Sequence, residues 1–150
     1  MDDRFREYIE SLPPRFDQLV SMSPTSIEKL PKRLPEQCVY LFSEDSRHLY
    51  AGRTNHFRQR MRNHSTPSAK ENQAVFAFRL AQEATGRKQA GYRRAMLEDP
   101  EFAEAFRRSK ERIRRMQLRF VDEPDQLRQA LLEIYVAVAL RTPHNDFETH

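Results

Sequence analysis

The sequence predicts an α+β fold, with a small three-stranded, mostly antiparallel sheet flanked by helices. Two runs rich in β-branched and aromatic residues, 38–43 and 47–52, are separated by turn-forming residues and predict a hairpin. A third run, 116–120, alternates apolar and polar residues as a half-buried strand does. Apolar residues at helical spacing occupy most of the remaining chain, so the helices should lie around this sheet.

Residues 1–36 predict a helical cover over the core. Apolar side chains recur at helical spacing from Phe5 to Leu12, and Pro13-Pro14 is expected to end this helix and to start another that reaches Val20. The alternative interpretation is an arm that docks a partner, because the apolar stripes in this region are short.

Residues 65–115 predict a helical insertion beyond the sheet-forming segments. A helix is expected over 71–84 with Gly86 as its terminator, followed by a second helix from about 89 that breaks at Pro100 and resumes. The insertion ends in the run 107–115, which has six positive side chains and one acid. That run is either a track for a phosphate backbone or a solvated helix end neutralised by nearby acids. The candidate phosphate contacts are Arg107, Arg108, Arg112 and Arg115.

Residues 116–150 predict the third strand and a last helix. Leu127, Leu131, Ile134 and Val138 recur at helical spacing and are expected to form the buried stripe of this helix. Glu133 falls at the edge of that stripe, where its carboxylate can reach into a cleft.

Composition limits the protein to a few classes. The length of 150 residues fits one domain with a hydrophobic core, spanning 1–150. A net charge of +4, with 26 basic and 22 acidic residues, permits a nucleic-acid partner without requiring one. The single cysteine, Cys38, has no intramolecular disulfide partner and favours a reducing compartment. No apolar run is long enough for a signal peptide or a membrane span, so we expect a cytoplasmic protein without a membrane partner.

Polar residues with catalytic potential are concentrated in the segment 38–64. If the hairpin loop has three residues, Tyr40 lies directly opposite Tyr50, and the two phenols share a face. Gly52 lets the chain leave the second strand without an obstructing Cβ atom. Arg60 and His64, four residues apart, share one face of the next helix. Two phenols, a guanidinium and an imidazole at one strand-to-helix corner suit phosphate chemistry.

This segment resembles the GIY-YIG nuclease superfamily. Cys38-Val39-Tyr40 and Tyr50-Ala51-Gly52 stand in the places of the family's two tripeptides, and Arg60 and His64 follow the second tyrosine by ten and fourteen residues. Much later, Glu133 and Asn145 resemble the family's metal-binding glutamate and its closing asparagine. The resemblance covers about residues 38–64 and 116–145, which together make up somewhat more than a third of the chain.

The resemblance implies a metal-dependent endonuclease that hydrolyses phosphodiester bonds in DNA, with RNA left open as a substrate. Its catalytic residues would be Tyr40, Tyr50, Arg60 and His64. Tyr50 is the first candidate for activating water and Tyr40 the second, with His64 assisting proton transfer. Because ionising a tyrosine at pH 7 costs about 4 kcal/mol, the cations Arg60 and Arg53 are expected to support the reaction and to contact the nucleic acid.

The resemblance also implies a cofactor and a structural residue near the C-terminus. Glu133 would hold one divalent ion, Mg²⁺ or Mn²⁺, since a single carboxylate suffices for an ion that keeps most of its water. Asn145 is expected to tie the C-terminal segment to the core. The alternative function is a catalytically inactive nucleic-acid-binding or interaction module with the same fold.

Overall fold

The computed structural model describes residues 1–149 and has the α+β architecture that the sequence predicts. Its elements in chain order are α1 (Asp3–Ser21), a 3₁₀ turn (Ile27–Lys29), β1 (Cys38–Glu44), β2 (Arg47–Thr54), α2 (Phe57–Ser65), α3 (Val75–Thr85), α4 (Arg93–Met96), α5 (Pro100–Arg115), β3 (Gln117–Asp122) and α6 (Gln126–Leu140). Within residues 1–149, no helix combines the length and the apolar character that crossing a membrane requires.

The sheet has the strand order β2-β1-β3, with both pairs antiparallel. The central strand β1 is buried along nearly its whole length, and its side chains alternate between two separate apolar clusters. Tyr40 and Phe42 pack with α2, α3 and α5 on one face of the sheet. Val39 and Leu41 pack with α1 and α6 on the other. The sheet ends at the edge strand β2, so side chains from the helical layers on its two faces can meet beside this strand.

The predicted pairing of the hairpin is wrong by two residues. The turn contains only Asp45 and Ser46, both with positive φ angles of 51° and 65°, and a bulge on β2 shifts the register between Phe42 and Ser43. Tyr40 consequently pairs with Gly52, and Phe42 pairs with Tyr50. A shift of two residues preserves the face of each side chain, so Tyr40 and Tyr50 are diagonal neighbours instead of directly opposed.

The prediction that Pro13-Pro14 ends the first helix is also wrong. Helix α1 continues through both prolines to Ser21. Leu12, just before the two prolines, and Leu19, after them, are both buried against the layer that contains α6. Packing on both sides of the prolines outweighs the local penalty that a proline imposes inside a helix.

The predicted insertion is helical, but its helices are distributed differently. Helix α3 begins at Val75 and not at 71, and Gly86 ends it in the left-handed conformation, as predicted. The helix expected from about 89 is only the single turn α4. Pro100 does not interrupt a helix but begins α5, at the first-turn position where proline fits, with Asp99 as the N-cap.

Three of the four residues predicted to form the buried stripe of α6 face solvent instead, and only Leu131 is partly buried, packed against the cluster that contains α1. Leu127, Ile134 and Val138 are 51%, 47% and 64% exposed. The buried face contains Leu132 and Val136, which pack against the sheet and α1. Since residues 134–140 are all apolar, hydrophobic spacing alone does not select the correct face.

Candidate active site

Tyr40 lies at the centre of the polar cluster and is completely buried. Its hydroxyl is 2.8 Å from His64 Nε2 and accepts a hydrogen bond from Arg60 Nε at 3.2 Å. Burial raises the pKa of Tyr40 well above its usual value, and Arg60 only partly opposes this effect. Tyr40 is thus a protonated phenol with no access to solvent.

Tyr50 lies beside Tyr40 but is only partly buried. The centroids of the two phenol rings are 6.4 Å apart, and Tyr50 stacks on Phe76 of α3 at 4.7 Å. Burial raises the pKa of Tyr50, and the positive charges of Arg60 and Arg79 act in the opposite direction. Of the two phenols, Tyr50 is the one that a substrate can reach.

His64 is fully buried behind Tyr40. Burial and the nearby charge of Arg60 lower the pKa of His64 well below its usual value, so the imidazole is neutral. Because Arg60 donates to the phenol oxygen, we infer that the phenol proton is directed to Nε2, which leaves the imidazole proton on Nδ1. Nδ1 has no hydrogen-bond partner among the described residues. His64 is therefore held by its hydrogen bond to Tyr40, and its ring also packs edge-on against Tyr50 at 5.7 Å.

Arg60 connects the two phenols to the insertion. In addition to its bond to Tyr40, it donates from NH1 to the backbone carbonyl of Gln73 at 3.0 Å, and its charge acts on Tyr50, whose pKa it tends to lower. The side chain remains partly exposed. Because its partners are neutral, Arg60 keeps its full positive charge. Its partly exposed side chain lies at the opening of the site, where an anion can approach it.

Glu133 reaches the same corner from α6. Its Oε2 accepts a hydrogen bond from Arg53 Nε at 3.0 Å, and its side chain is 26% exposed. Burial raises the pKa of Glu133, while Arg53 and Arg60 act to lower it. The charge of Glu133 also raises the pKa of both Tyr40 and Tyr50. The late carboxylate and the two phenols thus share one electrostatic environment.

Gly52 and Asn145 shape the strand around which these groups gather. A Cβ atom at Gly52 would lie 2.3 Å from Cζ and from the hydroxyl oxygen of Tyr40, so only glycine leaves room for that ring. Asn145 bonds both backbone groups of Ala51, accepting from the N–H at 2.8 Å and donating to the carbonyl at 2.7 Å. This amide fixes the segment after α6 to the edge strand β2.

The arginines predicted as a phosphate track are elsewhere, beside the hairpin turn and along α5. Each is paired with a carboxylate: Arg107 and Arg108 with Glu104, Arg112 with Glu44, and Arg115 with Glu111. The Arg112 pair is a fork, with Nε and NH2 both donating to the Glu44 carboxylate. This neutralisation favours the interpretation of the run as a solvated helix face.

Two side chains at the outer edge of the site, which we call the rim, were not predicted from the sequence. They are Arg79 and His144. Arg79 lies near Tyr50 and is held by the Pro143 carbonyl at 3.4 Å and by Asp146 at 3.6 Å. His144 contacts the ring of Phe76, and its backbone N–H donates to Leu49. Both residues reach the rim through the docking of α3 and the C-terminal segment, which no local spacing encodes.

The residues present fit a metal ion that needs few protein ligands. Within the described part of the chain, no three His, Cys, Asp or Glu side chains gather in a way that could hold a metal ion. Glu133 is a single, partly exposed carboxylate, and Arg53 bonds its Oε2 atom. A lone carboxylate suits Mg²⁺, which retains most of its water shell, better than it suits zinc.

Comparison with known proteins gives no further guidance: no protein-family model, no curated protein and no solved structure matches the chain.

Proposed function

We propose that this protein is a metal-dependent endonuclease of the GIY-YIG kind that hydrolyses phosphodiester bonds in DNA. The observation that carries the proposal is that Arg60 of α2 bonds Tyr40, Tyr50 lies beside Tyr40, and Glu133 of α6 bonds Arg53 of the edge strand and acts on both phenols. Residue spacing does not by itself bring α6 to β2, so this clustering supports the proposal beyond the matching residue types.

The positions of the cations suit an attack on a phosphate. Arg60 presents its charge at the mouth of the site, where a planar guanidinium can bind two phosphate oxygens. Arg79 acts on Tyr50 and Arg53 contacts Glu133, but each is paired with a carboxylate, Asp146 and Glu133, so the positive field comes mainly from Arg60. A field of this kind stabilises the additional negative charge that develops as water attacks phosphorus.

The two phenols have different roles in the proposed mechanism. Tyr50 contacts the attacking water and orients it. Tyr40 and His64 form a buried pair that fixes Arg60 and the ring of Tyr50. Glu133 would hold the divalent ion, which when bound supplies positive charge at the leaving oxygen. Arg53 shares the carboxylate of Glu133 and must move or adjust when that ion binds.

A non-catalytic nucleic-acid-binding module is the second candidate, and the Arg53–Glu133 ion pair favours it. That pair satisfies one oxygen of the only carboxylate proposed as a metal ligand. A protein that kept the fold but lost the reaction would keep this ion pair. In the nuclease, by contrast, a metal ion would displace Arg53 from Glu133. The two candidates therefore differ in whether metal breaks the Arg53–Glu133 pair.

Nicking of supercoiled plasmid distinguishes these candidates. Wild type, Arg60→Ala, Glu133→Ala and Tyr50→Phe are compared in Mg²⁺ or Mn²⁺, with and without a chelator. We expect wild type to nick the plasmid only with metal, and Arg60→Ala to be slower by about 10²–10³-fold, as when other donors to a developing charge are removed.

Matched controls remove the same charges at exposed positions away from the site. Arg62→Ala, on the exposed side of α2, and Glu10→Ala, on the exposed side of α1, should nick at the wild-type rate. Binding of Mn²⁺ to wild type and Glu133→Ala, followed by electron paramagnetic resonance, tests the ligand without relying on activity. Equal nicking by all variants, or metal binding that does not depend on Glu133, would refute the assigned roles.

A further inference from the structure

The connection between α3 and α5 carries an unusual surface. This connection, residues 86–99, contains four positive side chains, and its two carboxylates, Glu98 and Asp99, come at its end next to α5. Tyr92, within this connection, is 86% exposed, the highest value among the exposed large hydrophobic side chains of residues 1–149. An aromatic ring that protrudes among cations has no folding role here, and it offers a flat apolar face to a ligand.

Two of the four cations anchor the connection, and two do not. Arg87 pairs with Asp99 and Glu101, and Arg93 lies over the ring of Phe78 at 5.7 Å. Lys88 and Arg94, by contrast, are exposed. Neither has an ion pair or a side-chain hydrogen bond to any residue within 1–149. The anchored pair therefore holds the backbone in place while Lys88, Tyr92 and Arg94 remain available.

Two adjoining depressions extend from this surface to Arg79 and His144, which lie next to the candidate active site. The first, of about 1060 Å³, extends from Arg79 and His144 to Gln89 and Arg93. The second, of about 630 Å³, continues from Gln89 and Arg93 to Tyr92. Because they share two lining residues, they form one groove, which we call the Tyr92 groove. One end of the groove is Arg79, whose charge acts on Tyr50.

The charges in the Tyr92 groove are mixed. Its walls also include the carboxylates of Glu83, Asp146 and Glu148 in the first depression and of Glu71 and Glu98 in the second. Phosphate attraction alone is therefore a weak source of affinity, and the aromatic ring becomes the decisive group. Only an unpaired base exposes its face to such a ring, since the bases of a duplex are already stacked on each other.

We propose that the Tyr92 groove binds a single-stranded segment of the nucleic acid, with an unpaired base stacked on Tyr92 and flanking phosphates near Lys88 and Arg94. The inference rests on the proposed function, because it takes the groove as the path by which a strand reaches Tyr50 and Arg60. It adds a substrate feature, an unpaired segment, that the active site does not specify.

The test measures binding without cleavage, in chelator, using short single-stranded DNA and RNA oligonucleotides and a matched DNA duplex. One base is replaced by 2-aminopurine, whose fluorescence is quenched on stacking. We expect single strands to bind more tightly than the duplex. Tyr92→Ala should weaken single-strand binding by about 5- to 150-fold and abolish the quenching, whereas Tyr92→Trp should retain both, because stacking tolerates any aromatic face.

Matched controls separate stacking from general effects of mutation. Phe5→Ala removes an exposed aromatic ring from α1, on the other side of the sheet, and should leave binding unchanged. Lys88→Ala with Arg94→Ala should lower the salt slope of single-strand binding by about 1.4, at about 0.7 for each phosphate contact. Arg6→Ala with Arg33→Ala removes the same charge elsewhere and should not change that slope.

The outcomes separate this inference from the proposed nuclease. Undiminished binding by Tyr92→Ala, or a preference for duplex, would overturn the groove even if the plasmid is nicked. Tyr92-dependent binding by a protein that nicks nothing with any metal would uphold the groove and refute the nuclease. Equal effects of Phe5→Ala and Tyr92→Ala would also overturn the inference, because they would show that exposed aromatic rings act non-specifically.

Discussion

Gly52→Ala should destabilise the protein strongly although it adds one methyl group. The new Cβ atom would lie 2.3 Å from Cζ and the hydroxyl oxygen of Tyr40. Carbon atoms in contact are normally about 3.5–4.0 Å apart, so the ring must retreat by more than about 1 Å. Tyr40 is completely buried, with the rings of Phe42 and Phe57 around it, and has no free space to enter.

The magnitude follows from what the retreat would break. Tyr40 bonds His64 Nε2 at 2.8 Å and Arg60 Nε at 3.2 Å, and a displaced ring loses both contacts. A buried polar group left without a partner costs about 1–3 kcal/mol. Overpacking in a core costs about 1–3 kcal/mol more. We therefore expect Gly52→Ala to lower the free energy of unfolding by about 2–6 kcal/mol.

Urea titrations followed by circular dichroism provide the measurement, and a double-mutant cycle isolates the cause. In a Tyr40→Leu background the clashing atoms are absent, so adding Gly52→Ala should cost less than about 1 kcal/mol. Gly86→Ala is a control for glycine replacement alone: its Cβ atom would meet open space, and only its positive φ of 68° adds strain of about 1–2 kcal/mol. A cost for Gly52→Ala that is the same in both backgrounds would refute the steric argument.

The other predictions concern core packing, a buried lysine and pH. Leu132→Ala should lower the free energy of unfolding by about 2–5 kcal/mol, whereas Leu127→Ala, on the exposed face of α6, should lower it by less than about 0.5 kcal/mol. Equal losses in urea titrations would contradict the observed orientation of the helix. Lys110→Met should lower the free energy of unfolding by about 1–3 kcal/mol, because the buried ammonium donates to two backbone carbonyls in the loop before α3. Lys70→Met, at an exposed position, should leave the free energy of unfolding unchanged in the same assay. Because the pKa of His64 is lower in the folded than in the unfolded protein, the unfolded chain takes up a proton first as the pH falls, and stability should decline below about pH 6.5. Titrations at pH 5–7 should show a shallower decline for His64→Gln, and an unchanged decline would contradict the buried neutral imidazole.

The strands could be predicted from the sequence because each shows a local signal, but their register could not. Alternation identifies β3, and β-branched and aromatic residues identify β1 and β2. The register depends on the bulge beside Phe42 and on the turn Asp45-Ser46, which takes positive φ angles without a glycine. Without the asparagine or glycine that usually marks such a turn, the sequence favours a longer loop.

The orientation of α6 was not predictable because polar residues occupy its buried side. Gln129 is almost fully buried, and its amide donates to the carbonyl of Thr54, while Leu127 faces solvent. In a pattern of polar and apolar residues, a glutamine indicates an exposed face of the helix and a leucine indicates a buried one. The positions of Arg79 and His144 depend on the same kind of information, because long-range docking and not spacing brings them to the rim of the site.

Burial alone gives the two tyrosines different chemical capacities. In Tyr40 the oxygen accepts from Arg60 and the proton points to His64, so no position remains for water or phosphate. Tyr50 has the same phenol and the same neighbouring arginine, but it is partly open and has Arg79 at its outer side. Because burial raises the pKa of both phenols, neither is ionised near neutral pH, and Tyr50 meets its ligand as a neutral hydroxyl. In the proposed reaction Tyr50 therefore orients water by hydrogen bonding, and any gain in its basicity must come from cations that arrive with the substrate or at Glu133.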